Sequence, residues 1–153
     1  MKYLFSFNEK YGYKEEKLGY ENNPHCINYY FTNKDGINFK VSFNRTMNGH
    51  FEREYFTTNQ KEKYGDLNTN DIYSIMSSVT QITIDFIKKY SPKLIIIYHI
   101  PSKKEREDRK LNPATLETPT KRALLNKRFL ENKMPDGYKY ELRGPTSYIK
   151  KID

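Results

Sequence analysis

The run from Asn70 to Ile100 constrains the fold more than any other part of the chain. Ile72, Ile75, Met76, Val79, Ile82, Phe86 and Tyr90 recur at steps of three and four, which puts them on one face of an α-helix. Ser91-Pro92 ends that helix, because the proline ring lacks an N–H and blocks the next turn. Leu94-Ile95-Ile96-Ile97-Tyr98 follows at once, a short, continuous, β-branched run of the kind that forms a strand covered on both faces. A helix that feeds straight into a buried strand must lay its apolar stripe on the same sheet, and this fixes the fold class.

The flanking segments supply the rest of the sheet. Ile27–Phe31 and Ile37–Phe43 alternate around Asn33-Lys34-Asp35-Gly36, and Asp-Gly between such runs predicts a β-hairpin within residues 27–45. On its second arm Ile37, Phe39, Val41 and Phe43 share one face, while Asn38, Lys40, Ser42 and Asn44 share the other. Phe51–Thr58 predicts a further strand, weakened by Glu52, Arg53 and Glu54. Asn59–Asn68 is a polar connection with one glycine, Gly65. Asn70 or Thr69 is placed to cap the helix, and Asp71 suits its positive end. Residues 101–118 read as a charged loop, interrupted by Pro113. A second helix is expected from Thr118 as N-cap and Pro119 to about Asn132, with Leu124, Leu125 and Phe129 inward. Pro135-Asp136-Gly137 makes a turn, and Tyr138–Leu142 and Tyr148–Ile152 close the sheet about Gly144-Pro145. Residues 1–24 are expected as an arm, with Met1–Phe7 an edge strand and Tyr11–Asn23 an exposed loop with aromatic anchors.

The order is β-hairpin, β, α, β, α, β, β. It describes an α/β (α+β) fold with a mixed, largely antiparallel sheet packed by two main helices, in a single domain over 1–153. A chain of this length buries about two-thirds of its unfolded surface. The core is built from aromatics as much as aliphatics, with 14 Tyr and 9 Phe. A tyrosine ring can be buried while its hydroxyl is bonded, which suits a thin core or one finished by partner chains.

The net charge of +8 is uneven: residues 1–70 hold ten basic and nine acidic side chains, residues 71–153 seventeen and ten. That excess favours an acidic protein surface or a nucleic acid as partner. Cys26 is the only cysteine, which excludes an intrachain disulfide. The apolar part of the N-terminus is too short for a signal peptide, and no stretch approaches the roughly 20 apolar residues of a membrane span. No membrane association is expected. Heavy use of Asn, Lys, Ile and Tyr, which have A/T-rich codons, points to an A/T-rich source genome.

Two resemblances follow from these segments. Over roughly residues 37–152 the element order resembles the GNAT superfamily of N-acetyltransferases, and Ala123-Leu124-Leu125-Asn126-Lys127-Arg128-Phe129 looks like that superfamily's A-L-Y-E-K-L-G-F segment. The resemblance implies coenzyme A held at the start of the first helix by a loop [RQ]-x-x-G-x-[GA], whose N–H groups cradle the pyrophosphate. Here that place reads Gln60-Lys-Glu-Lys-Tyr-Gly65-Asp-Leu-Asn, with one glycine at a different offset, and the family's general-acid tyrosine falls on Leu125. The second resemblance is to small proteins of tailed bacteriophages, some of them virion components. It is carried by Asp85-Phe86-Ile87-Lys88-Lys89-Tyr90-Ser91-Pro92, Ile95-Ile96-Ile97, Lys121-Arg122-Ala123-Leu124, Phe129 and Gly137-Tyr138. It implies a place in the virion or the host cytoplasm.

No constellation of reactive residues stands out. His25, His50 and His99 are not at metal-ligand spacing, and neighbours such as His25 and Cys26 on a strand point to opposite faces, so no metal and no cofactor is expected. Cys26 reads either as a nucleophile with His50 or His99 as base, or as a small buried hydrophobe. His99 follows the buried strand, at the end where open sheets place ligands, and is the best single polar site residue, with Glu54 and Tyr98 as neighbours. Lys103, Lys104, Arg106, Arg109, Lys110, Lys121, Arg122, Lys127 and Arg128 form a basic interaction surface. They lack the interleaved aromatics that single-strand binders use for stacking. The sequence therefore reads as a non-enzymatic bacteriophage structural or interaction protein, a head, neck or tail component that contacts copies of itself or other virion proteins. The alternatives are a GNAT-like N-acyltransferase with a degenerate coenzyme A loop, and a nucleic-acid-binding module.

Overall fold

A computed structural model of the chain describes residues 10–60, 71–99, 103–112 and 118–152. Among them the fold is α+β: one seven-stranded, mostly antiparallel sheet and three helices. The strands are β1 (Lys14–Tyr20), β2 (Asn23–Thr32), β3 (Asn38–Met47), β4 (His50–Thr57), β5 (Leu94–Tyr98), β6 (Tyr138–Arg143) and β7 (Thr146–Lys151); the helices are α1 (Ile72–Tyr90), α2 (Lys103–Leu111) and α3 (Lys121–Leu130). In space the strands run β1-β2-β3-β4-β5-β7-β6. Every neighbouring pair is antiparallel except β4 and β5, which are parallel and joined through α1.

The hairpin forms where Asp35-Gly36 permits it: Gly36 takes φ +78°, and Phe31 pairs with Phe39 across the turn. Asn33 fixes the loop, its Oδ1 accepting from the N–H groups of Asp35 and Ile37. The inner face of the sheet carries Ile27, Tyr29, Phe31, Phe39, Val41, Phe43, Phe51, Ile95, Ile97 and Ile149, all buried. Against them α1 sets Ile75, Val79, Ile82, Phe86 and Ile87. Phe86 stacks on Phe43 with ring centroids 3.8 Å apart and meets Phe51 edge-on at 5.0 Å. Such aromatic pairs contribute about 0.5–1.5 kcal/mol beyond their buried area. At the C-terminus of α1, Ser91 adopts the left-handed conformation (φ 46°) and its N–H bonds Ile87 O at 2.9 Å, closing the helix ahead of Pro92.

Four sequence expectations are corrected. Tyr11–Asn23 is not a loop, because β1 pairs with β2 from Lys14↔Tyr30 to Tyr20↔Asn23. Tyr13 packs edge-on against Tyr29, and Glu15 on the same face accepts hydrogen bonds from Tyr29 Oη at 2.8 Å, Lys89 Nζ at 2.7 Å and Tyr90 Oη at 3.1 Å. Residues 101–118 are not all loop, since Lys103–Leu111 is helical, a third helix among the described residues beside the two expected. Its mixed charges hide no apolar stripe but are good helix formers. The N-cap of α3 is Thr120, not Thr118: its Oγ1 accepts from Ala123 N at 3.0 Å. The inward face is also displaced: Ala123, Asn126 and Leu130 are buried and Leu124 is 48% exposed, while Leu125 and Phe129 are half-buried at its flank. The predicted edge strand Met1–Phe7 and the caps Thr69 and Asn70 lie outside the described residues; within them Asp71 precedes α1, its carboxylate accepting from Tyr11 Oη at 2.7–2.8 Å.

Candidate functional site

The parallel pair β4/β5 is short. It runs from His50↔Leu94 to Arg53↔Ile97 and then opens. Beyond that point β4 continues along β3 to Thr57, while β5 stays with β7 to Tyr98↔Thr146. Two strands that leave each other in this way form a fork. In it lies a cavity of about 30 Å³ lined by Arg53, Glu54, Tyr55, Ile97, Tyr98, His99 and Arg122. The fork lies at the C-terminal end of β5, where open sheets place ligands. His99, Glu54 and Tyr98, expected as neighbours from the sequence, thus line one cavity. Arg53 and the first turn of α3, through Arg122, join them.

Arg53 is the unusual member. Strand alternation puts Phe51, Arg53 and Tyr55 on the inner face, and Arg53 is 2% exposed. Its Nη1 donates to Thr83 Oγ1 of α1 at 3.0 Å and its Nη2 to Asn126 Oδ1 of α3 at 3.1 Å. One guanidinium therefore ties the sheet to both helices. Its Nε–H has no acceptor, and no carboxylate pairs with it among the described residues. Burial lowers its pKa from 12.5 to about 10, so it keeps its charge at neutral pH.

His99 is also buried. Its backbone N–H bonds Pro145 O at 3.1 Å, in the β6–β7 turn, and its Nε2 lies 2.7 Å from Ser147 Oγ. Ser147 Oγ in turn is 2.6 Å from Tyr140 Oη. Burial, then the charges of Arg53 and Arg122, push the imidazole pKa down to about 3, so it is neutral at pH 7. The fork thus combines a fixed buried positive charge with a neutral imidazole–hydroxyl chain. This arrangement suits accepting negative charge.

The other predicted residues separate. Cys26 sits on the outer face of the sheet with Asn28, whose Oδ1 accepts from its Sγ at 3.3 Å, whereas His99 is on the inner face; the two form no dyad. His50 pairs with Leu94 on the outer face. The basic set divides between α2 and α3. Lys103 opens α2, and Lys104, Arg106 and Lys110 lie exposed along it. Arg109 is tied to the chain itself, donating to Thr118 O and Pro119 O, each at 3.0 Å. Lys121, Lys127 and Arg128 are exposed on α3, with Lys127 3.5 Å from Glu131, and Arg122 faces the fork. Among the described residues no three His, Cys, Asp or Glu side chains converge as a metal site, and no described helix is long and apolar enough to cross a membrane.

Sequence reasoning missed Arg53, Thr83 and Asn126. A signal was present in each case: a charged or polar residue at an inward position of an otherwise apolar row. Arg53 alternates with Phe51 and Tyr55, Thr83 falls between Ile82 and Phe86, and Asn126 sits between Ala123 and Leu130. No protein-family model, curated protein or solved structure matches the chain.

Proposed function

We propose that this chain acts by contact rather than catalysis, as a bacteriophage structural or interaction protein that joins copies of itself or other virion components. The observation that carries this reading is the outer face of the sheet. Tyr30, Phe56, Ile96, Tyr98 and Tyr148 lie there half-exposed or exposed, interleaved with Lys40, Glu52, Glu54, Glu141 and Lys150. Lys40 lies 5.8 Å from the ring centroids of both Tyr30 and Phe56, and Lys150 lies 5.7 Å from that of Tyr148. Antiparallel sheets can leave such a face to water. Exposed aromatic rings are, however, enriched at interfaces, where charged side chains belong to the polar rim. The A/T-linked composition and the resemblance of its segments to small phage proteins support the phage source. Native mass spectrometry, with mass spectrometry of purified particles, tests the reading. The expected result is an oligomer or a particle-bound chain that Tyr98→Glu with Tyr148→Glu disrupts; a strict monomer absent from particles overturns it.

A second reading rests on the strand order. The sequence β1-β2-β3-β4-β5-β7-β6, with its single parallel pair and fork, supports the likeness to the GNAT scaffold and hence an N-acyltransferase with an altered coenzyme A loop. The fold alone does not carry the activity. Calorimetry with acetyl-coenzyme A decides it: saturable heat supports this reading, and none at about millimolar ligand, near −4 kcal/mol of binding free energy, rejects it.

A further inference from the structure

We propose that the open edge of β6 docks an extended acidic segment of a partner protein, which joins the sheet as a further antiparallel strand. β1 and β6 are the two edge strands of the sheet. In an antiparallel ladder, successive residues turn their N–H and C=O groups alternately toward one neighbour and away from it. Gly137 O accepts from Ile152 N at 2.7 Å, so Gly137, Lys139, Glu141 and Arg143 face β7. The backbone groups of Tyr138, Tyr140 and Leu142 therefore point outward. Tyr138 donates its N–H to Pro135 O at 3.1 Å, within the turn before the strand. Tyr140 and Leu142 meet no strand on that side among the described residues. They present donors and acceptors at the spacing that an added strand completes.

The side chains narrow the kind of strand that fits. On the inner face Tyr140 and Leu142 are half-buried, an apolar shelf at the margin of the core. Across β6 and β7, Lys139, Arg143, Lys150 and Lys151 face a single acid, Glu141, which pairs with Arg143 at 2.8 Å and Lys150 at 3.1 Å. A segment that alternates apolar and acidic residues matches both the shelf and the charge. A second copy of the chain does not. Pairing β6 with itself through Tyr140 and Leu142 sets Glu141 opposite Glu141 and Lys139 opposite Arg143, and like charges directly opposite destabilise a sheet. The other edge is blunted, since β1 has a bulge between Leu18 and Gly19 and charges of both signs from Lys14 to Lys17. The inference rests on the reading that the chain acts by contact. The strip adjoins the outer face of the sheet and shares Glu141 and Lys150 with it, so the test reads the backbone of β6, where the two differ.

The experiment is a titration of the full chain with a capped peptide of about eight residues, the usual strand length, alternating valine and glutamate. The readout is hydrogen exchange at the Tyr140 and Leu142 amides, followed by NMR. The peptide is expected to protect both amides saturably, and its counterpart with lysine for glutamate to protect neither. N-methylation of the valines removes the N–H groups that face β6 in the antiparallel register and is expected to abolish protection; N-methylation of the glutamates, whose N–H groups face away, is expected to preserve it. Lys139→Glu should weaken binding roughly three- to fivefold, the effect of one cross-strand charge pair. Leu142→Pro removes an outward N–H without touching the ladder to β7 and should abolish binding. Equal binding of the lysine peptide, protection that survives valine N-methylation, or no protection at about millimolar peptide would each overturn the proposal. Concentration-dependent protection of the two amides in the peptide-free chain would overturn it in favour of a second copy. Should Leu142→Pro fail to fold, the N-methylated peptides on the native chain still decide. No peptide binding beside an intact assembly overturns this inference alone, whereas a strict monomer absent from particles that still binds the peptide overturns the outer-face reading alone.

Discussion

A buried guanidinium with no carboxylate partner among the described residues is costly, and this makes Arg53 the residue whose substitution is most informative. Its desolvation costs several kcal/mol, against two hydrogen bonds that each contribute about 1.5–3 kcal/mol. Thr83 loses little when Arg53 is removed, because its hydroxyl already donates to Val79 O at 2.8 Å. Asn126 loses the donor to its Oδ1, at about 1–3 kcal/mol. We therefore expect Arg53→Met, which keeps the volume, to leave stability unchanged or raise it by about 1–2 kcal/mol. Urea denaturation checks this, and a loss beyond about 3 kcal/mol would make Arg53 a purely structural tie. His99 gives a second prediction at this scale. Its folded pKa is depressed from 6.5 to about 3, so between those values the unfolded chain binds a proton that the folded chain does not. The contribution is complete above pH 6.5 and is lost as pH falls toward 3, with a slope of about 1.4 kcal/mol per pH unit. Denaturant midpoints at pH 7 and pH 5 should differ accordingly in the native chain, and His99→Gln should remove most of that difference.

At the scale of elements, the end of α1 shows how local chemistry and chain path agree. Ser91 holds a left-handed conformation, which costs a side chain about 1–2 kcal/mol and costs glycine almost nothing. Ser91→Gly should raise stability by about 1 kcal/mol, seen as a rise of a few degrees in melting temperature; no rise would mean that the greater freedom of glycine in the unfolded chain cancels the gain. The same helix explains what the sequence made legible. Its apolar period, the Ser-Pro stop and the Ile-rich strand are local signals, and they placed α1 and β5 correctly, but β5 is covered on one face only: Ile95 and Ile97 are buried, while Leu94 and Ile96 are half-exposed and Tyr98 is exposed on the other. The Asp-Gly turn did the same for β2 and β3. What stayed hidden depends on distant partners. β1 carries Lys, Glu and Gly and is a strand only because β2 offers it a ladder and α1 offers Glu15 the Lys89 ammonium. The inward face of α3 was misread because Asn126 looks like a surface residue until the Arg53 guanidinium arrives from a strand 73 residues earlier. The candidate site was legible only as His99 with two neighbours, since its central charge sat in a segment whose charges had argued against burial.

At the scale of the whole molecule, positive charge and mechanical role have to be separated. Arg109 holds the start of α3 through two backbone carbonyls, and Glu105 accepts from Lys121 N at 3.1 Å, so α2 and α3 brace one another. Arg122 belongs to the fork. Reversing either would disturb structure or site as well as surface. Lys104, Arg106 and Lys110 are exposed along α2, and Arg128 is exposed on α3. If the basic half steers the chain to an acidic partner surface, Lys104→Glu with Arg106→Glu and Arg128→Glu should weaken assembly while the melting temperature stays within a few degrees of the native value. The native interaction should itself weaken steeply between about 0.05 and 0.3 M salt, because screening shortens the reach of exposed charges over that range. Analytical ultracentrifugation across the salt series, with thermal melts of the same samples, separates the two effects. Assembly that is insensitive to both salt and charge reversal would place the contact on the ring-bearing outer face of the sheet alone, and the basic half would then serve solubility.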